Sequence, residues 1–120
     1  MKTGVFIGRF QPWHEGHQAC IEAILKTHDR AVLLIRTGEK NEKNPFGFTE
    51  VCGFIRGAMG PLIEAGTITL IELPDPGFDL TVFHGRAVGY GIEELKMPPA
   101  IEAVSATQKR KEMSLGGGVK

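Results

Sequence analysis

Gly4-Val5-Phe6-Ile7-Gly8-Arg9-Phe10-Gln11-Pro12-Trp13-His14-Glu15-Gly16-His17 carries the strongest pattern in this 120-residue chain. A short apolar run ends in a glycine and an arginine, a proline-aromatic turn follows, and two histidines three residues apart open a helical pattern. A strand-to-helix junction that holds phosphate has this form. The glycine lets the backbone approach a ligand, and the helix start offers unpaired N–H groups and the positive end of a dipole. His14 and His17, at i and i+3, share one face of that helix end. No metal site is read from them, because His28 and His84 lie far off and no Cys or carboxylate stands beside them at ligand spacing.

Outward from the junction the chain alternates strand and helix. Val5-Phe6-Ile7 reads as a buried central parallel strand, a short apolar run bounded by glycine. From Glu15 to about Thr27, Cys20, Ile21, Ile24 and Leu25 recur at helical spacing opposite Gln18, Glu22 and Lys26. Ala31 to Ile35 is a second β-branched apolar run, so the pair of strands implies a right-handed βαβ unit. The polar loop from Arg36 to Asn44 then lies on the carboxyl edge of the sheet, where ligands are held, with Lys40 and Lys43 as candidate phosphate contacts.

The second half is less regular. Residues 48–65 predict a helix bent near Gly60-Pro61, weakened by Gly53 and Gly57. Thr67 to Leu73 reads as a third strand at a sheet edge, Leu80 to Phe83 as a fourth and Ile92 to Leu95 as a fifth. Gly85, Gly89 and Gly91 have the wrong spacing for a dinucleotide fingerprint, and no amphipathic helix follows them. Ser105 to Met113, with a Ser/Thr start and a basic turn, predicts a second anion-binding helix N-terminus. The expected fold is α/β, a Rossmann-like three-layer sandwich with a mostly parallel central sheet of about five strands. One domain takes residues 1–115, and 116–120 form a flexible tail.

Composition bounds the function classes. Fourteen basic and fourteen acidic residues leave no net charge with which to hold a polyanion, so nucleic acid is not the expected partner. The N-terminal apolar run, preceded by Lys2 and interrupted by Arg9, is too brief for a signal peptide or a membrane span. Cys20 and Cys52 fall among apolar helix positions, as free thiols in a reducing cytoplasm do.

Gly8 to His17 resembles the HxGH signature of the nucleotidylyltransferase superfamily, which holds the nicotinamide-mononucleotide adenylyltransferases and the small cytidylyltransferases. Val104-Ser105-Ala106-Thr107-Gln108-Lys109-Arg110 resembles its second signature, ISxTxxR, and Asn44-Pro45-Phe46 resembles the opening of the middle helix in the archaeal-type enzymes. The likeness runs over nearly the whole chain. It implies attack of an acceptor phosphate oxygen on the α-phosphate of a nucleoside triphosphate, with pyrophosphate leaving and no covalent enzyme intermediate.

The catalyst then needs position and positive charge. The resemblance implies His14, His17 and Arg110 as catalytic residues, with Gly8, Arg9, Phe10, Ser105 and Thr107 completing the nucleotide site. Mg²⁺ would arrive with the triphosphate. AMP is the favoured group and a small phosphorylated acceptor such as nicotinamide mononucleotide the recipient. Trp13, Lys40, Lys43, His84 and Arg86 are the candidate acceptor contacts. A CTP-dependent cytidylyltransferase and a non-catalytic nucleotide-binding module are the alternatives. Three departures stand out: Lys109 where the motif is apolar, Glu50-Val51 where an acid-base pair is usual, and a short run after Arg110. The last predicts an acceptor pocket that is either open or completed by a neighbouring copy in a homo-oligomer.

Overall fold

The computed structural model of the chain describes residues 1–86 and 89–118. Three strands, β1 (Thr3–Gly8), β2 (Arg30–Thr37) and β3 (Ile68–Pro74), are connected by α1 (Glu15–Leu25) and α2 (Phe48–Glu64). After β3 the described residues carry only α3 (Pro99–Glu102) and α4 (Ala106–Gly118). The strands are parallel in the order β1-β2-β3, in register from Thr3 opposite Arg30 and Ala31 opposite Ile68.

Both crossovers step the same way across the sheet, so right-handed connections set α1 and α2 on one face. That face is the core. Ala31, Leu33 and Ile35 of β2 and Ile68 of β3 are buried with Ile21 and Ile24 of α1 and Val51, Cys52, Ile55 and Met59 of α2. Burying one such aliphatic side chain contributes about 1.5–3 kcal/mol, which outweighs the weak intrinsic helicity of α2. That helix kinks at Met59 (φ −133°, ψ 27°), just ahead of Pro61, because the proline ring clashes with the preceding turn and lacks an N–H. The kink lies where the Gly60-Pro61 pair predicts it.

The Rossmann-like α/β architecture holds, with corrections. β2, not β1, is the central strand, and Val5 of β1 is 56% exposed. The expected strands at Leu80–Phe83 and Ile92–Leu95 do not form, so the described residues contain three strands, not about five. They show the sheet and one helical layer. Leu80–Phe83 is four residues long and hemmed by Pro74, Pro76, Gly77 and Gly85, while Ile92–Leu95 carries Glu93 and Glu94 side by side. Neither pairs with a strand, and β-propensity without an edge to pair with does not make a strand. Gly116 to Gly118, read as part of a tail, fall within the bounds of α4.

Candidate active site

The turn after β1 is built around Phe10. Its φ of 54° is in the left-handed region, which costs a residue with a Cβ about 1–2 kcal/mol. Burial secures it, since Phe10 is 2% exposed, packs against Phe6 and Trp13, and meets the His17 ring edge-on at 4.9 Å. Gly8 leaves room for that ring, as a Cβ there would come within 2.7 Å of it. Gln11, also 2% exposed, ties the turn to the segment before α2: its Nε2 donates to the Phe46 carbonyl and its Oε1 accepts from the Phe46 N–H, both at 2.9 Å.

His14 and His17 form the N-terminal cap of α1. Nδ1 of His14 accepts from the Gly16 N–H at 3.1 Å, and Nδ1 of His17 accepts from the His14 N–H at 3.1 Å. Two orphan donors of the helix start are thereby satisfied by imidazoles in place of the usual hydroxyl and carboxylate. An accepting Nδ1 puts the proton of a neutral ring on Nε2, so both histidines keep an Nε2–H to donate. The rings stack at 3.8 Å. Burial lowers the pKa of His14, and burial together with the adjacent His14 brings that of His17 down to about 3. At neutral pH both are uncharged donors. Gly16 is required by this stack, because a Cβ there would sit 2.9 Å from His14 Cε1.

The second motif comes to this turn from the far end of the chain. Arg110 Nη1 donates to the Gln11 carbonyl at 2.6 Å and its Nη2 donates to Thr107 Oγ1 at 3.2 Å. Lys109 pairs with Glu15 at 2.9 Å. Ser105 Oγ accepts from the Gln108 N–H and so caps α4. A groove of about 730 Å³ is lined by Thr107, Arg110, Lys111 and Met113 of α4 and by Glu42, Lys43, Pro45 and Phe46 of the segment before α2. A second groove of about 440 Å³ lies across the 41–44 loop, lined by Arg9, Asn41, Glu42, Lys43, Asn44, Gly77 and Phe78. Its far wall is fixed by Asp75, which is buried, accepts from Arg36 Nε at 2.7 Å and accepts from the Asp79 N–H at 3.1 Å.

The structure therefore gathers Gly8, Arg9, Phe10, His14, His17, Thr107 and Arg110 about one turn, with Lys43 between the two grooves. The histidines themselves line neither groove. Lys40 pairs with Glu50, whose carboxylate also accepts from the Gly47 N–H at the start of α2, so this lysine braces a helix cap. His84 and Arg86 are exposed and line neither groove. Trp13 is buried against Phe10 and His17, its Nε1–H without a partner among the described residues. Sequence reasoning misses Gln11, Asn44, Asp75 and Phe78 as site-building residues. Gln11, inside the first signature, and Asn44, in the Asn-Pro-Phe segment, carry a signal, and Asp75 and Phe78 carry none. Among the described residues no group of three or more His, Cys, Asp or Glu could hold a metal ion, and no helix is long and apolar enough to cross a membrane.

No protein-family model matches the chain. The nicotinamide-nucleotide adenylyltransferase of Sulfurisphaera tokodaii is 32% identical over 136 aligned residues, which take in 91% of this chain and 77% of that protein. Since 91% of 120 residues is fewer than 136, the alignment runs through gaps in this chain, where the relative carries residues this one lacks. The enzyme of the same name from Caldivirga maquilingensis is 33% identical over 78 residues, 62% of this chain and 44% of its own length. Among solved structures, a bifunctional NMN adenylyltransferase/ADP ribose pyrophosphatase from Francisella tularensis superimposes with a TM-score of 0.53 at 34% identity, covering 62% of this chain and 23% of that one. The same enzyme complexed with AMP and a Mn ion gives a TM-score of 0.50 at 33% identity. The chain thus spans most of one relative and less than half of the others.

Proposed function

This chain belongs to the nicotinamide-nucleotide adenylyltransferase family, and from that we propose that it transfers AMP from ATP to nicotinamide mononucleotide with release of pyrophosphate. One observation carries the proposal: Arg110 reaches the carbonyl of Gln11, 99 residues away in sequence, and so joins the two phosphate-binding motifs into one site.

In this reading the triphosphate lies in the larger groove, with Arg110 and Thr107 on its β- and γ-phosphates and Lys43 across from them. The planar guanidinium offers further N–H donors beyond the two bonds it makes here. His14 and His17 would turn their Nε2–H groups toward the α-phosphate as charge grows in the transition state. As neutral donors they contribute orientation, and the positive charge comes from Arg110, Arg9 and Lys43. The smaller groove, with Arg9, Lys43 and Phe78, suits the acceptor: two cations for its phosphate and a ring beside its base. Lys40, His84, Arg86 and Trp13 would then contribute only by moving or through their neighbours.

The Mn ion of the Francisella complex supports a divalent cation, and here Mg²⁺ would enter as the Mg–ATP substrate, held by phosphates and water. Free Cys20 and Cys52 suit a reducing cytoplasm.

The test is pyrophosphate release with ATP, CTP, GTP and UTP against nicotinamide mononucleotide and other small phosphorylated acceptors. ATP with nicotinamide mononucleotide should turn over fastest. Thermal stabilisation by ATP without any pyrophosphate would mark a binding module instead, and a preference for CTP would mark a cytidylyltransferase.

A further inference from the structure

Among the described residues, the hydrogen bonds and ion pairs that join α4 to the N-terminal half come from two consecutive side chains, Arg110 to Gln11 and Lys109 to Glu15. We propose that the Lys109–Glu15 ion pair is a latch that holds the second phosphate-binding motif over the first, which makes Lys109 a positioning residue for the triphosphate and not a ligand of it. The inference rests on the nucleotidyl-transfer reading for its substrate.

Three observations carry it. Lys109 Nζ lies between two carboxylates, Glu15 of α1 at 2.9 Å and Glu112 of its own helix at 3.6 Å. Its neighbours Arg110 and Lys111 line the larger groove, whereas Lys109 lines neither groove. Glu15 is the first residue of α1, so the ion pair ties α4 to the helix start that carries the first motif. Glu112 keeps Lys109 paired when α4 lifts away, which lowers the cost of opening. An ion pair this exposed is weak and screened by salt. A weak latch suits a clamp that must release pyrophosphate.

The experiment reads nucleotide affinity twice, as the KM for ATP and by titrating the fluorescence of Trp13, the one tryptophan in the chain, which packs against His17. Lys109→Met and Glu15→Gln should each weaken ATP by roughly threefold to fivefold, with kcat little changed. Lys109→Glu should weaken it further, and the exchanged pair Lys109→Glu with Glu15→Lys should recover most of the loss. The deficit of Lys109→Met should narrow toward about 1 M salt, where the Debye length is about 3 Å.

If Lys109→Met weakens ATP while Glu15→Gln leaves it unchanged or tightens it, Lys109 touches phosphate and the latch is wrong. Failure of the exchanged pair to recover affinity, or no effect of either single change, overturns it equally. Should no acceptor yield pyrophosphate, the transfer reading fails, yet the Trp13 titration still decides the latch.

Discussion

Nδ1 of His17 accepts the backbone N–H of His14, and the two rings lie parallel within 18° at 3.8 Å. One arrangement does three things at once: it caps α1, fixes both tautomers with the proton on Nε2, and keeps both rings uncharged at neutral pH.

That neutrality has a sign in the pH dependence of stability. Burial, and then the proximity of His14, lowers the folded pKa of His17 to about 3, below the value of about 6.5 expected when unfolded. The unfolded state then binds more protons between those values, so stability should be full above about pH 6.5 and fall as the pH drops toward 3. Between about pH 6.5 and pH 5 the loss is about 2 kcal/mol by linkage. Urea titrations at several pH values should show it, and His17→Asn should flatten the slope. NMR should find no titration of His17 between about pH 5 and 8.

Gly16→Ala should harm the site more than the helix. Alanine is favoured over glycine by about 1 kcal/mol in a helix, yet here its Cβ would come 2.9 Å from His14 Cε1 and 3.0 Å from Nδ1. The ring must swing out, which breaks the cap and the stack. Pyrophosphate release should fall by about 10²-fold or more, as for loss of a transition-state donor, with far-UV circular dichroism unchanged.

Much of the candidate site's geometry could be read from the chain itself, because a capped turn between strand and helix uses residue types and spacings that are local. Gly8, His14, His17, Thr107 and Arg110 all follow from two short stretches. What joins those stretches to each other and to the rest of the fold could not be read. Arg110 reaches the Gln11 carbonyl, Gln11 holds Phe46 and Asp75 holds Arg36 through contacts that span more than thirty residues, and residue type alone does not say which residues pair. The first three strands followed from apolar runs bounded by glycine or charge. Leu80–Phe83 failed because propensity reports what suits a pleated surface, and an edge to pair with is a tertiary property.

Helix α2 retains removable weakness. Gly53 and Gly57 sit in its interior with open space where a Cβ would go, so neither is held by close approach. Gly53→Ala and Gly57→Ala should each stabilise the protein by about 1 kcal/mol in urea unfolding. Gly60, between the Met59 kink and Pro61, should gain less, since the helix is already interrupted there.

Gln11→Glu isolates the hydrogen bond that ties the first motif to the segment before α2. The substitution is isosteric, but it places a carboxylate oxygen where Nε2 now donates to the Phe46 carbonyl at 2.9 Å. Only the protonated acid can donate there, so its folded pKa should rise above the unfolded value of about 4.3. A group with a raised folded pKa contributes its stability below the unfolded pKa and loses it as the pH rises through the folded one. The variant should therefore match the parent near pH 4 and fall behind it at pH 7 by about 1–3 kcal/mol, the cost of an unsatisfied buried carbonyl. The difference between variant and parent is the quantity to follow, because His17 weakens both at low pH. A deficit that stayed constant from pH 4 to 7 would mean that the Phe46 carbonyl does not depend on this donor. With the turn loosened, Arg110 loses the fixed Gln11 carbonyl, so the affinity for ATP should fall in step with stability.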